Sequence, residues 1–178
     1  MKYFDELKRT MEWLAVRPDT LFVGQTAGVP GTFMYQTLRD LPKDKALEFP
    51  VNESFQMQFC LGLALAGYVP IAVYPRQNFL LLATGDMSNM VDKISAMSDG
   101  KVNPRIIIRV ATGPFKPVHP GHQHIGNFAD SFRSMFEWID VVEVNEPEDI
   151  FPAYKTAYER KDSRSTLIIE DGNFYNEK

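Results

Sequence analysis

Six short apolar runs punctuate this chain, and segments with a helical pattern lie between them. The runs are 21-LFVG-24, 46-ALEFP-50, 70-PIAVY-74, 105-RIIIRVA-111, 141-VVEV-144 and 166-TLIIE-170. Strands that alternate with helices predict a parallel sheet covered on both faces. Central strands of such a sheet are buried on both sides and read as continuous Val/Ile/Leu runs, as IIIRV and TLII do. The helical segments are 3–15, 31–41, 53–67, 78–97, 125–137 and 147–160. The first sets Phe4, Leu7, Met11, Leu14 and Ala15 on one face. The expected fold is therefore α/β: a three-layer, mostly parallel six-stranded sheet with helices on both faces. Ligands of such sheets bind beyond the carboxyl ends of the strands. That rule selects four loops, 25–31, 51–53, 75–79 and 112–124.

A length of 178 residues suits one domain, 1–178, with one core. A net charge of −4 offers no electrostatic case for nucleic acid or an anionic membrane. The N-terminal stretch MKYFDELKRTMEWLAVRP mixes charges throughout and has no apolar run of signal-peptide length. No segment reaches the ~18–20 apolar residues that span a bilayer. Cys60 is the lone cysteine, which rules out a disulfide within the chain and fits a reducing cytoplasm. Its place in an apolar helix marks it as a core residue.

The four loops differ in chemical content. In 24-GQTAGVPGT-32 the glycines match neither GxGxxG nor GxxxxGK[ST] spacing, so no nucleotide phosphate loop is read there. In 50-PVNES-54, Asn52 is the expected helix N-cap, with Glu53 in the first turn. An acid there is favoured by the helix dipole by about 0.3–1 kcal/mol, whatever else it does. In 74-YPRQNFLLL-82, Tyr74, Arg76, Gln77, Asn78 and Phe79 gather at one strand end. Their aromatic rings suit either helix packing or stacking on a flat ligand. In 112-TGPFKPVHPGHQHIGN-127 lie all three histidines, His119, His122 and His124. HxH with a third His is compatible with zinc, but no cysteine is nearby and the loop is not a rigid element, so no metal site is expected. Imidazoles at an active-site rim that switch charge near pH ~6.5 fit the loop better.

Taken in order, these pieces resemble the pyrimidine-binding domain of thiamine diphosphate enzymes of the transketolase type. The nearest form is the β-subunit of 2-oxo-acid dehydrogenase decarboxylases. The likeness is carried by PVNESFQMQFCLGLALAGYVPIAVYPRQNF, by VGQ near the start, by the GHQH loop and by VVEVNEPED. It covers residues 5 to 172. The resemblance implies that Glu53 donates a hydrogen bond to a ring nitrogen of the cofactor's aminopyrimidine. It thereby favours the imino tautomer that takes the proton from the thiazolium carbon. Burial against an apolar wall favours the neutral acid, and only the neutral acid can donate. The same resemblance makes Phe79 the platform for the pyrimidine ring, with Tyr74 exchanging that part if the register shifts. Gln25 and Thr26 border the cofactor. His122 or His124 faces the substrate; His122-Gln123 matches the transketolase dipeptide and His124 the distance to the next strand. Arg76, where relatives carry an apolar or small residue, is read either as a weaker contact to an anionic substrate group, with His119, or as the mate of an acid on a partner chain.

The relatives hold the cofactor's diphosphate and its Mg2+ on another domain that carries a GDG…N motif. Here Gly85-Asp86 and Asp171-Gly172 lack that context. The resemblance therefore implies a pyrimidine-binding subunit of a split enzyme. It would act in 2-oxo-acid decarboxylation or ketol transfer and would be inactive without a separate diphosphate-binding subunit that holds the Mg2+. The expected assembly is a homodimer or an α2β2 heterotetramer. The helices 53–67 and 78–97, too apolar for solvent, would form the interface. The alternative is a non-catalytic scaffold or regulatory protein that keeps the fold.

Overall fold

The computed structural model of the chain describes residues 2–115, 119–162 and 164–176. Its strands are β1 (Thr20–Gly24), β2 (Ala46–Glu48), β3 (Val69–Tyr74), β4 (Ile107–Thr112), β5 (Asp140–Val144) and β6 (Thr166–Asp171). They form one six-stranded sheet in the order β2-β1-β3-β4-β6-β5. Every pairing is parallel. The sequence-based fold class is therefore the observed one. The order reverses after β1, which is followed on one side by β2 and on the other by β3, so the carboxyl ends of these strands border a switch point.

Two apolar layers cover the sheet. On one face lie helix α1 (Tyr3–Ala15) and the Pro147–Glu159 helix, whose Leu7, Met11, Leu14, Ile150 and Tyr154 pack on Phe22, Ile107 and Ile168. Tyr3 rather than Phe4 enters this core. Its hydroxyl donates to the Val144 carbonyl at 2.6 Å and accepts the Asp171 N–H at 2.9 Å, which anchors the helix to β5 and β6. On the other face lie helix α3 (Glu53–Leu65), the 77–97 segment and the Ala129–Met135 helix, over Ala72, Ile108 and Leu167. Cys60 is fully buried in this second layer.

Three helical segments are shorter or more broken than their apolar periodicity suggests. The 31–41 segment forms one turn, α2 (Phe33–Gln36), capped by Thr32, whose hydroxyl accepts the Tyr35 N–H. The 125–137 segment is helical only over Ala129–Met135. The 78–97 segment is several short pieces with a wide π turn over Met87–Val91. Gly85 is a weak helix former there. Asp92 turns inward so that its carboxylate accepts the N–H groups of Glu137, Trp138 and Ile139. A buried carboxylate with three donors is worth more than a regular helical turn, and periodicity carries no sign of it. Among the described residues no helix is long and apolar enough to cross a membrane.

Candidate functional site

Glu53 stands at the first position of α3, beyond the end of β2, and is only 6% exposed. The expected N-cap is present: the Asn52 side-chain oxygen accepts the Phe55 N–H at 2.9 Å. One side chain holds the Glu53 carboxylate, and two others anchor the helix start that carries it. Gln25 donates to its Oε1 at 3.0 Å. Tyr74 donates its hydroxyl to the Glu53 carbonyl oxygen at 3.0 Å. Gln56, one turn along α3, donates at once to the Val23 and Val73 carbonyls at 3.2 and 3.0 Å, which ties the helix start to β1 and β3. The strands themselves meet closely here: a side chain on Gly24 would lie 2.2 Å from the Val73 carbonyl oxygen. Among the described residues the Glu53 Oε2 atom has no hydrogen-bond partner. The result is a preorganised, nearly dry carboxyl group with one side committed to Gln25 and the other available.

Tyr74 does not act as the sequence suggests. It is fully buried, so its ring presents no face to a ligand; its part is to hold Glu53 from beneath. Gln56 was not singled out from the sequence. The signal was present as one of three uncharged polar side chains on a largely apolar helix, three residues after the acid, but its two strand carbonyls are distant in the chain.

The loop after β1 is shaped by Glu48 of β2. Its carboxylate accepts the N–H groups of Thr26, Gly28 and Val29 at 2.9, 2.9 and 3.2 Å. Thr26 takes φ = 55°, which curls the loop, and its hydroxyl meets that of Thr32 at 2.8 Å. The loop is thus a turn folded around an internal anion, consistent with its lack of a phosphate-loop motif. Thr26 is committed to shaping it.

On the far side of β3, Phe79 and His124 lie together with ring centroids 5.5 Å apart. The His124 Nδ1 is 2.9 Å from the Asn78 side-chain oxygen, and its Nε2 is 3.0 Å from the Gln123 amide nitrogen. His119 and His122 form a separate exposed pair with ring centroids 5.5 Å apart. Of the two histidines left open by the sequence, His124 is the one against Phe79. Residues 116–118 of this loop lie outside the described residues.

Partial burial lowers the His124 pKa from its ordinary value, and the charge of Arg76 lowers it further. The neutral imidazole is therefore favoured by folding. Its contribution to stability is complete above the ordinary histidine range and is lost as pH falls below it. Arg76→Gln is expected to raise the His124 pKa toward the ordinary value, followed by the pH titration of its ring proton in NMR spectra. An unchanged titration would show that the guanidinium field does not reach His124.

A cavity of about 330 Å³ opens at the carboxyl ends of β3, β4 and β6 under α2. Arg76 is the single sequence-predicted site residue that lines it; Glu53, Phe79 and His124 do not. The rest of the lining includes Thr32, Phe33, Met34, Thr112, Pro114 and Tyr175. Below it, Arg109 of β4 and Glu170 of β6 form a fully buried pair, with Arg109 Nε to Oε1 at 2.8 Å and Nη2 to Oε2 at 3.0 Å. Tyr154 and Tyr175 donate their hydroxyls to the same carboxylate. Among the described residues no group of three His, Cys, Asp or Glu side chains comes close enough to hold a metal ion.

No family model matches the sequence, and no curated protein matches it at the sequence level. Solved structures do match. A split-gene transketolase, described as an inactive β4 tetramer, superposes with a TM-score of 0.72 at 12% identity, over 96% of this chain. The 2-oxoglutarate:ferredoxin oxidoreductase from Magnetococcus marinus superposes with a TM-score of 0.55 at 15% identity, over 98% of this chain. This chain spans 51% of the first structure's chain and 29% of the second's. At such low identity the likeness shows the fold alone, the pyrimidine-type domain fold of thiamine diphosphate enzymes.

Proposed function

We propose that this chain is the pyrimidine-binding subunit of a thiamine diphosphate-dependent enzyme. It would work with a separate chain that holds the diphosphate and its Mg2+. The observation that carries this reading is Glu53: a buried carboxyl group at a strand end, held at one oxygen by Gln25 on a helix start anchored by Tyr74 and Gln56, with its other oxygen uncommitted among the described residues. That arrangement fits a ring nitrogen of an aminopyrimidine better than a solvated helix start, since a helix-dipole role needs neither burial nor a side chain that positions the carboxylate. Phe79 would supply the apolar face beneath the ring, with Gln25 at its edge. His124, held by Asn78 and neutral near pH 7, would accept or return a proton at the substrate rim. When bound, the cofactor supplies the electron sink for breaking a carbon–carbon bond next to a carbonyl. The reaction is either 2-oxo-acid decarboxylation or ketol transfer.

The requirement for a partner has its own support. Phe55 and Leu65 of α3 are 50% and 52% exposed, and Leu82 and Met97 of the 77–97 segment are 66% and 72% exposed. These residues lie on the two helical segments expected to form an interface. The split-gene transketolase structure, an inactive tetramer of one kind of chain, supports a subunit that self-associates and stays inactive when alone. The test is to co-purify the chain with whatever binds it in its native host and to titrate the complex with thiamine diphosphate and Mg2+. A co-purifying chain with a GDG…N motif and micromolar cofactor binding to the complex are expected. Absence of both would leave a scaffold with this fold.

A further inference from the structure

Arg76 is a half-buried cation at the wall of the 330 Å³ cavity, and among the described residues it makes no ion pair and no side-chain hydrogen bond. Among the described residues no acidic side chain lines that cavity. Holding a guanidinium away from water without a counter-charge is unfavourable, and burial lowers its pKa from the ordinary value. A bound anion removes that imbalance. A carboxylate fits it well, since the planar fork offers two parallel N–H donors to two oxygens.

The rest of the wall narrows the ligand further. Its three hydroxyls are already engaged. Thr112 donates to the Glu170 carbonyl at 3.3 Å, Tyr175 donates to the Glu170 carboxylate, and Thr32 pairs with Thr26 while accepting the Tyr35 N–H. The Gln36 oxygen accepts from Arg39, which leaves its amide N–H2 as the uncommitted side-chain donor of the lining. Phe33, Met34, Pro75 and Pro114 supply an apolar part of the wall beside its polar groups. Among the described residues a polyhydroxylated sugar phosphate finds few uncommitted side-chain partners here, and a phosphate dianion finds one cation. A short acid with an apolar body finds one charged anchor, one neighbouring amide donor and an apolar wall.

We propose that this cavity is a carboxylate subsite in which Arg76 anchors a short monocarboxylic acid with an apolar body. The acid's identity as a 2-oxo acid rests on the function proposed above; the anchoring itself does not. Combined with that function, the subsite selects decarboxylation over ketol transfer.

The test uses the full chain without cofactor or partner. The probes are 4-methyl-2-oxopentanoate and fructose 6-phosphate, titrated separately while backbone amide NMR signals are followed. Saturable shifts at Thr32, Gly113 and Gly172 with the oxo acid are expected, with the sugar phosphate at least tenfold weaker. Arg76→Gln is expected to lower the oxo acid's affinity about tenfold to hundredfold, the range of one charge-assisted pair. Arg76→Lys is expected to recover only part of it. Phe33→Trp, at a 41% exposed position that tolerates a larger ring, is expected to block binding while leaving the rest of the spectrum unchanged. No binding at millimolar acid, equal binding by Arg76→Gln, or preference for the sugar phosphate would each overturn the proposal. Cofactor binding by the two-chain complex is a separate measurement, so the subsite and the proposed enzyme role can fail independently.

Discussion

Glu53→Gln, in the complex with a diphosphate-binding partner, is expected to lower turnover about 10²–10⁴-fold, the range lost when a positioned proton-transfer group is removed. The substitution is nearly isosteric. The glutamine oxygen can still accept from Gln25, and the backbone carbonyl still accepts from Tyr74, so the geometry around α3 should persist. What is lost is the ability to hold and release a proton at the uncommitted oxygen. Folding is checked by the unfolding midpoint of the isolated chain, which should change little. Cofactor affinity and turnover are then measured on the complex. Wild-type turnover would reduce Glu53 to an anion at a helix start, with a contribution of about 0.3–1 kcal/mol to stability and none to chemistry.

The largest expected effect on stability lies below the Arg76 cavity. Glu170→Gln should destabilise the chain by about 3–5 kcal/mol, the usual cost of removing one partner from a buried ion pair. Arg109 and Glu170 are both fully buried, and the carboxylate also accepts from Tyr154 and Tyr175. Burial alone would lower the Arg109 pKa, but the Glu170 charge outweighs it and the guanidinium stays firmly protonated. An uncharged amide leaves that cation without compensation and turns an N–H2 group toward donors. One guanidinium nitrogen, Nη1, already lacks a partner among the described residues, so the network has no spare acceptor. The check is urea denaturation with the slope compared between variants. Adding Arg109→Met should recover part of the loss, because it removes the orphaned charge. A double variant as unstable as the sum of its singles would mean that the two groups do not act as a pair. Tyr175 links this network to the cavity wall, so Glu170→Gln is also expected to loosen the subsite.

Much of the fold was legible because it depends on short-range pattern. β-branched runs separated by helical segments specify strands, their parallel arrangement and the end of the sheet where loops gather. The existence of α3, its Asn52 cap and the burial of Cys60 follow from the same pattern. Other features depend on groups distant in the chain. The π turn at Met87–Val91 accompanies Asp92 reaching the N–H groups of residues 137–139. Tyr74 appeared to be a stacking platform because an aromatic at a strand end looks alike whether it faces a ligand or the core. Arg109 and Glu170 were each visible as a lone charge in or beside an apolar run, but their pairing joins positions 61 residues apart in the chain.

The chain's own order of residues determined which elements form and which acid begins α3, since propensity, capping and apolar periodicity act over a few residues. It also brought Gln25, Arg76, Phe79 and the histidine loop to one end of the sheet, because parallel strands all deliver their loops there. Tertiary structure alone decided how those residues are distributed. It set His124 rather than His122 against Phe79, turned Tyr74 inward, and left Arg76 without a counter-ion among the described residues, over a cavity that Glu53 does not line. These outcomes depend on side-chain direction and on which polar groups find partners across the sheet. Such pairings are governed by burial and hydrogen bonding between elements that are separated in sequence and meet only after folding.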